Sequence, residues 1–181
     1  MNNIWHSINP ERIKPDDFMA VIEIPKGSKK KYELDKETGH LILDRILYTS
    51  THYPANYGLI PRTYADDRDP LDVLVLCSQV LDPLVEVECF PIGCIRMMDG
   101  GDYDDKIIAV LKSDAVYGMM TDIEQVPADI IRRLIHYFST YKDIPGEHTS
   151  RMQFISIYGP EVAKDVILRA MQDYDDYIAK K

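Results

Sequence analysis

The chain has 181 residues, 45% hydrophobic and 28% charged, which is the size and composition of one ordinary globular domain with a substantial core. Its net charge of −9 argues against nonspecific binding to nucleic acid or to an anionic membrane, but not against a phosphate ligand, because bound divalent cations can reverse the local sign of a site. The three cysteines, Cys77, Cys89 and Cys94, are too few and too irregular for a disulfide framework or a zinc site. Cys89 and Cys94 could pair, whereas Cys77 lies in an apolar run and reads as a buried thiol.

The opening MNNIWHSINP has neither a basic start nor an apolar stretch of signal-peptide length, and no run approaches the roughly 18 apolar residues of a membrane span. A reducing cytoplasm is the expected home. Residues 1–17 are polar and broken by proline, and are expected to lie over the surface. Residues 18–25, FMAVIEIP, read as a strand in which Glu23 either faces solvent or is an acid set in a cleft. The basic cluster KGSKKK at 26–31 resembles a charged hairpin tip and leads into Tyr32-Glu33-Leu34-Asp35. Thr38-Gly39 marks a turn before a strand at 41–47 that carries Arg45.

Residues 51–61, THYPANYGLIP, are dense in aromatics and turn formers and read as a loop, whose Tyr hydroxyls suit either anionic oxygens or packing. The next stretch, DDRDPLDVLVL at 66–76, sets Asp66, Asp67, Asp69 and Asp72 close together ahead of a buried strand at 71–77. Carboxylates this near raise one another's pKa unless cations hold them ionised. If the segment is extended, Asp67 and Asp69 share a face, Pro70 fixes a bend and Asp72 enters the strand. That is an array of hard oxygen donors suited to Mg²⁺ or Mn²⁺; a solvated acidic turn capping a strand is the other reading. A calcium loop of the EF-hand type is excluded, since Leu71 and Asp72 fall where that loop needs a ligand and a glycine.

Two more strands are expected at 84–89 and 91–98, then a glycine-hinged acidic loop at 99–106 and a strand at 107–111. Ile130, Ile131, Leu134, Ile135, Phe138 and Tyr141 then recur at helical spacing behind Pro127. A strand at 152–157 precedes a last helix opened by Gly159-Pro160, with Val162, Val166, Ile167, Ala170, Met171 and Tyr174 on its apolar face. There is no internal repeat and no linker, so 1–181 reads as a single domain. Six or seven strands followed by two helices make an α+β fold, mainly β, with a strongly coiled sheet or small barrel.

Together these motifs resemble the soluble inorganic pyrophosphatases of family I, the Mg²⁺-dependent type, at bacterial length. The resemblance runs from about Phe18 to about Lys142, and DRDPLDVLV is its most specific part. IEIP with Glu23, KYELD with Lys31 and Glu33, DR with Arg45 and YPANYG with Tyr53 and Tyr57 follow the family's order, as do Asp99, Asp104, Lys106 and Tyr141-Lys142. Arg68 departs from the glycine often found between the first two aspartates, and should point away from the metals.

The resemblance implies a five-stranded OB-type barrel flanked by helices, and hydrolysis of pyrophosphate to two phosphates by several Mg²⁺ ions and a metal-activated water. Mn²⁺ or Zn²⁺ would substitute and Ca²⁺ would inhibit. Asp67, Asp72 and Asp104 would hold the tightest metal, with Asp72 bridging to a second; Asp99 and Asp104 would serve further metals, with Glu23 in the outer shell. Lys31, Arg45, Tyr57, Lys106, Tyr141 and Lys142 would hold phosphate oxygens, and Asp69 would help deprotonate the water. Pyrophosphate, with no nucleic acid and no membrane, would be the partner, and the assembly a homo-oligomer, a hexamer favoured. His136 reads as a surface or packing histidine that would make assembly pH-sensitive if it lay at a subunit contact. The list is chemically coherent, because metals make a nucleophile against a polyanion while cations and phenols stabilise departing charge. Other readings are a metal-dependent phosphohydrolase of nucleotides or polyphosphate, a non-catalytic OB-type binding module, and a dead homologue.

Overall fold

A strand that is apolar on both faces must be covered on both, and the run Phe18–Ile24 sets the architecture in that way. The computed structural model describes residues 3–144 and 152–180. Within them lie α1 (Ile4–Ser7), β1 (Ile13–Lys14), β2 (Asp17–Ile24), β3 (Lys30–Leu34), β4 (Leu41–Ile46), β5 (Asn56–Ile60) and β6 (Leu71–Leu76). They are followed by β7 (Glu86–Asp99), β8 (Asp102–Leu111), α2 (Ala128–Thr140), β9 (Met152–Tyr158) and α3 (Pro160–Ala179).

Strand β2 pairs with β5 on one edge and with β7 on the other, and the order β2-β5-β6-β8-β7 returns to β2. Five strands thus close into a ring, as an OB-type fold requires, with β6 and β8 the parallel pair. β1 and β9 extend the sheet, while β3 and β4 form a separate hairpin.

Alternation then sorts the core. Phe18, Ala20, Ile22, Val73, Val75, Ile107 and Ala109 gather with Ala163 and Ile167 of α3. The intervening Leu74, Leu76, Ile108 and Val110 gather with Leu134 and Phe138 of α2. Gly58 is where β5 crosses β2, and a Cβ there would stand 2.0 Å from the Val21 carbonyl oxygen.

Several expectations give way. Residues 3–17 are not a surface strap: Trp5, Ile8 and Ile13 are buried, and Trp5 Nε1 donates to the Thr63 carbonyl at 2.8 Å. Residues 56–60 are strand rather than loop. The two strands expected at 84–89 and 91–98 are one strand, Glu86–Asp99, whose ladder shifts between Pro91 and Gly93, because proline has no N–H to give it. In the acidic loop only Gly100 and Gly101 turn; the remainder is strand. All three cysteines are free and buried. Cys89 and Cys94 lie five residues apart along extended β7, about 16 Å by strand rise and far beyond disulfide reach.

Candidate active site

The site grows from one register. Asp72, the second residue of β6, is the ladder partner of Lys106 in β8, so both side chains rise from neighbouring strands on one face. Lys106 Nζ donates to Asp72 Oδ2 at 2.7 Å and to Asp104 Oδ1 at 2.9 Å. It also lies 3.5 Å from the Tyr57 hydroxyl and 5.1 Å from the Phe138 ring centroid. Its side chain is only 2% exposed. Burial works against the ammonium charge, but Asp104 and Asp72 more than offset it and hold the pKa well above that of an ordinary lysine.

The signature loop is a tight turn, not the extended segment that would align Asp67 with Asp69. Asp67 Oδ1 accepts the Asp69 N–H at 3.0 Å, the Ala65 N–H donates to the Asp69 carbonyl at 2.8 Å, and Arg68 sits at φ 70°. Left-handed backbone explains why glycine suits this position. Arg68 is exposed and lines a surface hollow with Tyr177 and Lys180, away from the acids of the site. Thr63 Oγ1 anchors the far end by accepting the Leu71 N–H at 2.8 Å. Loss of solvation, and then the Asp72 carboxylate, push Asp67 up to about 6.

Two adjoining clefts share Lys31, Tyr57, Asp67 and Asp72. One, of about 290 Å³, adds Asp99, Asp102, Tyr103, Asp104, Lys106, Tyr141 and Lys142. The other, of about 240 Å³, adds Glu23, Glu33, Lys36 and Asp69 among others. Every residue that the resemblance assigns to metal, phosphate or water therefore lines this double cleft except Arg45. That side chain is the ladder neighbour of Lys31 but is held by Asp44, its Nε 2.8 Å from Asp44 Oδ2.

The groups come from distant segments. Tyr141 caps the C-terminal end of α2, and the adjacent Lys142 Nζ lies 2.6 Å from Asp99 Oδ2 at the end of β7. Lys31 on β3 is bonded to Glu33 and, at 3.1 Å, to Asp44. Burial first, and then Asp72, push Glu23 up to about 8, so this acid is in a cleft rather than in solvent. Burial first, with Asp72 also contributing, holds the Tyr57 and Tyr141 phenols well above their usual range and keeps both as hydrogen-bond donors.

Four participants escaped the sequence reading. Lys36 Nζ lies 2.5 Å from Asp69 Oδ1 and bonds the Arg68 carbonyl; Asp44 holds both Lys31 and Arg45; Asp102 and Tyr103 line the larger cleft. The acidity of the run 99–106 was a signal for Asp102. Lys36 and Asp44 had none, because their roles depend on hairpin register.

The donor set fits hard divalent cations. Asp67, Asp72 and Asp104 line one cleft, and Asp67, raised first by loss of solvation and then by the Asp72 carboxylate, would be held ionised by a cation there. Among the described residues no three His, Cys, Asp or Glu side chains are drawn into a ready-made cage. Mg²⁺ rarely uses one, since it typically binds through one or two carboxylates together with waters and substrate phosphates.

A family model described as inorganic pyrophosphatase matches residues 20–175, well past Lys142 and into α3. Soluble inorganic pyrophosphatase 2 of Chlamydomonas reinhardtii is 42% identical over 98% of this chain and 91% of its own length. An inorganic pyrophosphatase of Picrophilus torridus is 39% identical, covering 94% of each chain. The crystal structure of the Thermus thermophilus inorganic pyrophosphatase superposes with a TM-score of 0.90 at 33% identity, over 96% of this chain and 99% of that one.

Proposed function

This chain belongs to the inorganic pyrophosphatase family and hydrolyses inorganic pyrophosphate, and we propose that it does so in the double cleft, with acids that hold Mg²⁺ facing cations and phenols that hold phosphate. The observation that carries this reading is the meeting of Asp67, Asp72, Asp99 and Asp104 with Lys31, Lys106, Lys142, Tyr57 and Tyr141 in one cleft. A site with the acids alone would repel pyrophosphate, and one with the cations alone would not activate water.

In this reading Asp67, Asp72 and Asp104 would hold the tightest Mg²⁺, Asp72 would also serve a second, and Asp99 with Asp104 would serve ions that arrive with the substrate. Mg²⁺, when bound, supplies positive charge against the phosphate oxygens and makes a coordinated water acidic enough to attack near neutral pH. Asp69 receives the proton of the attacking water. Lys36 braces Asp69 from the other side of the turn, which leaves its second oxygen for that task. Lys106 is fully ionised and desolvated, so its charge acts strongly on the oxygens of the departing phosphate. Tyr57 and Tyr141 donate to the same oxygens without adding charge. Lys31 and Lys142 take the outer phosphate oxygens by leaving their present carboxylate partners, and Arg45 joins them by swinging from Asp44. Glu23, neutral at pH 7 until cations approach, orders the outer shell.

The chain works in the cytoplasm as a homo-oligomer, a hexamer favoured. Three buried free thiols support the first part. Exposed Ile42, Leu43 and Ile46 on β4, with Phe154 and Ile155 on β9, support the second. No helix among the described residues is long and apolar enough to cross a membrane. Phosphate release from pyrophosphate, ATP and polyphosphate, with and without Mg²⁺, tests the site reading. Release from pyrophosphate alone, abolished by chelation, is the expected result; preference for ATP would transfer the cleft to nucleotide hydrolysis.

A further inference from the structure

Strand β8 meets β6 first at Lys106, so residues 102–105 overhang the ring and have a ladder partner on β7 only. That overhang carries Asp104, and Lys106 sits at its root. β9 backs β7 along this stretch, so β8 is the free edge of a three-stranded overhang, and the aim of Asp104 depends on what else ties that edge to β7. The first overhanging residue, Asp105, stands directly opposite Arg96 of β7. Arg96 Nε donates to Asp105 Oδ1 at 2.7 Å, and Nη2 to Asp105 Oδ2 at 2.6 Å. The side chains are 22% and 6% exposed, so this two-pronged pair is shielded from solvent on the acid's side. The same guanidinium lies 5.0 Å from the Tyr103 ring centroid and 5.3 Å from that of Tyr158, at the end of β9. Because side chains alternate, Asp105 occupies the face opposite Asp104 and Lys106, while Tyr103, beside the guanidinium, also reaches the lining of the larger cleft. The Arg96–Asp105 pair thus lies behind the cleft, and the Tyr103 ring links the two.

We propose that Arg96 is a positioning residue for pyrophosphate hydrolysis, locking the β7–β8 ribbon through Asp105, Tyr103 and Tyr158 so that Asp104 and Lys106 stay aimed into the cleft. The inference rests on the reading of Asp104 and Lys106 as site residues. It accounts for an arginine at position 96, since a lysine has no planar fork to grip both carboxylate oxygens and to lie between two rings.

The test uses Asp105→Asn and Arg96→Lys in the full chain. With Mg²⁺ and pyrophosphate saturating, Asp105→Asn should lower kcat by about 10- to 100-fold. Its Mn²⁺ dissociation constant, read without substrate from the free-ion resonance signal, should rise by a similar factor. Arg96→Lys should move both in the same direction by less. A purely structural pair predicts a lower melting midpoint with kcat and Mn²⁺ affinity unchanged at 25 °C, and that result would overturn the proposal. Should Asp105→Asn fail to fold, Arg96→Lys decides by the same criterion, because it keeps the charge and the stem. Asp104→Asn is the control. If it retains full turnover and Mn²⁺ affinity, the site reading itself is wrong; if it is inactive while Asp105→Asn is fully active, only the clamp is lost.

Discussion

The two acidic segments of the cleft are made rigid in opposite ways. The loop at 66–72 is held largely from within: the Asp67 side chain caps the Asp69 N–H, Ala65 bonds the Asp69 carbonyl, and Pro70 fixes the exit. The ribbon tip at 99–106 has only a two-glycine turn of its own, and borrows its stiffness from Arg96, from β9 and from Lys142 on Asp99. Lys106 joins the two, with one hydrogen bond to each. The locally built loop can carry a group whose aim must be close, such as a proton acceptor. The borrowed one suits ligands that settle around an incoming ion. Each substitution below tests one side of that contrast.

The largest effect is expected at Asp69. If the loop's rigidity serves proton transfer, Asp69→Asn should cut kcat by roughly 10²–10⁴-fold, the usual cost of losing a general base. Asn can keep the turn and a hydrogen bond to Lys36, so Mg²⁺ and substrate affinities should change far less. Steady-state kinetics beside a Mg²⁺ titration check this. Collapsed metal affinity would make Asp69 a ligand, and retained turnover would leave it as a turn cap.

Next comes the joint itself. Lys106→Met removes a buried cation and leaves Asp72 and Asp104, 25% and 17% exposed, facing each other. Losing one partner of a fully buried pair costs about 3–5 kcal/mol, so partial exposure places this change near the lower end. The pH dependence has a definite sign. A lysine whose folded pKa is raised contributes stability that is fully present below its unfolded pKa, about 10.4, and is lost as pH rises through the folded value. The stability gap between wild type and Lys106→Met, measured by urea unfolding in chelator, should be level from neutral pH to about 10 and narrow above it. A gap that narrows between pH 7 and 9 would show that Lys106 is not held by these acids.

How much could be read in advance follows the same division. Strands β2 and β6 and the helices α2 and α3 were legible, because continuous apolar runs and helical periodicity are properties of short windows. Strand β5 was not: Asn56, Tyr57 and Gly58 have turn chemistry, and Gly58 serves a strand only because β2 passes so close. Trp5 sits among polar neighbours, and its burial depends on Tyr64, Tyr174 and Tyr177 from far along the chain. Within the cleft, the residues in recognisable strings were legible through the family resemblance. Lys36 and Arg96 were not, since each matters for the carboxylate that register sets beside it.

A smaller effect isolates the ribbon turn. Gly101 has φ 111°, and a Cβ there would meet nothing within 4 Å, so Gly101→Ala adds backbone strain without a clash. A residue forced into such a conformation costs about 1–3 kcal/mol. The melting midpoint should fall by a few degrees for each kcal/mol at this chain length. If the tip borrows its rigidity, the ladder from Arg96 inward should survive and kcat should fall no more than about threefold, within the usual tolerance for relaxed positioning. A loss as large as that of Asp105→Asn would mean that the turn, not the clamp, sets the aim of Asp104.

The smallest effect falls on the other turn. Arg68 stands at φ 70° between Asp67 and Asp69, where an L side chain pays about 1–2 kcal/mol and glycine almost nothing. Glycine also gives the unfolded chain more freedom, which returns part of that gain. The Arg68 side chain is exposed, and its carbonyl, which accepts Lys36 Nζ at 3.1 Å, survives the change. Arg68→Gly should therefore stabilise the chain by about 0.5–1 kcal/mol, a rise of roughly 1–4 °C in melting midpoint. Turnover and Mg²⁺ dependence should stay at wild-type values, because the turn's geometry comes from the Asp67 cap, the Ala65 bonds and Pro70 rather than from the residue between the aspartates. A fall in kcat with raised stability would show instead that the stiffness of a non-glycine residue at 68 helps to aim Asp69.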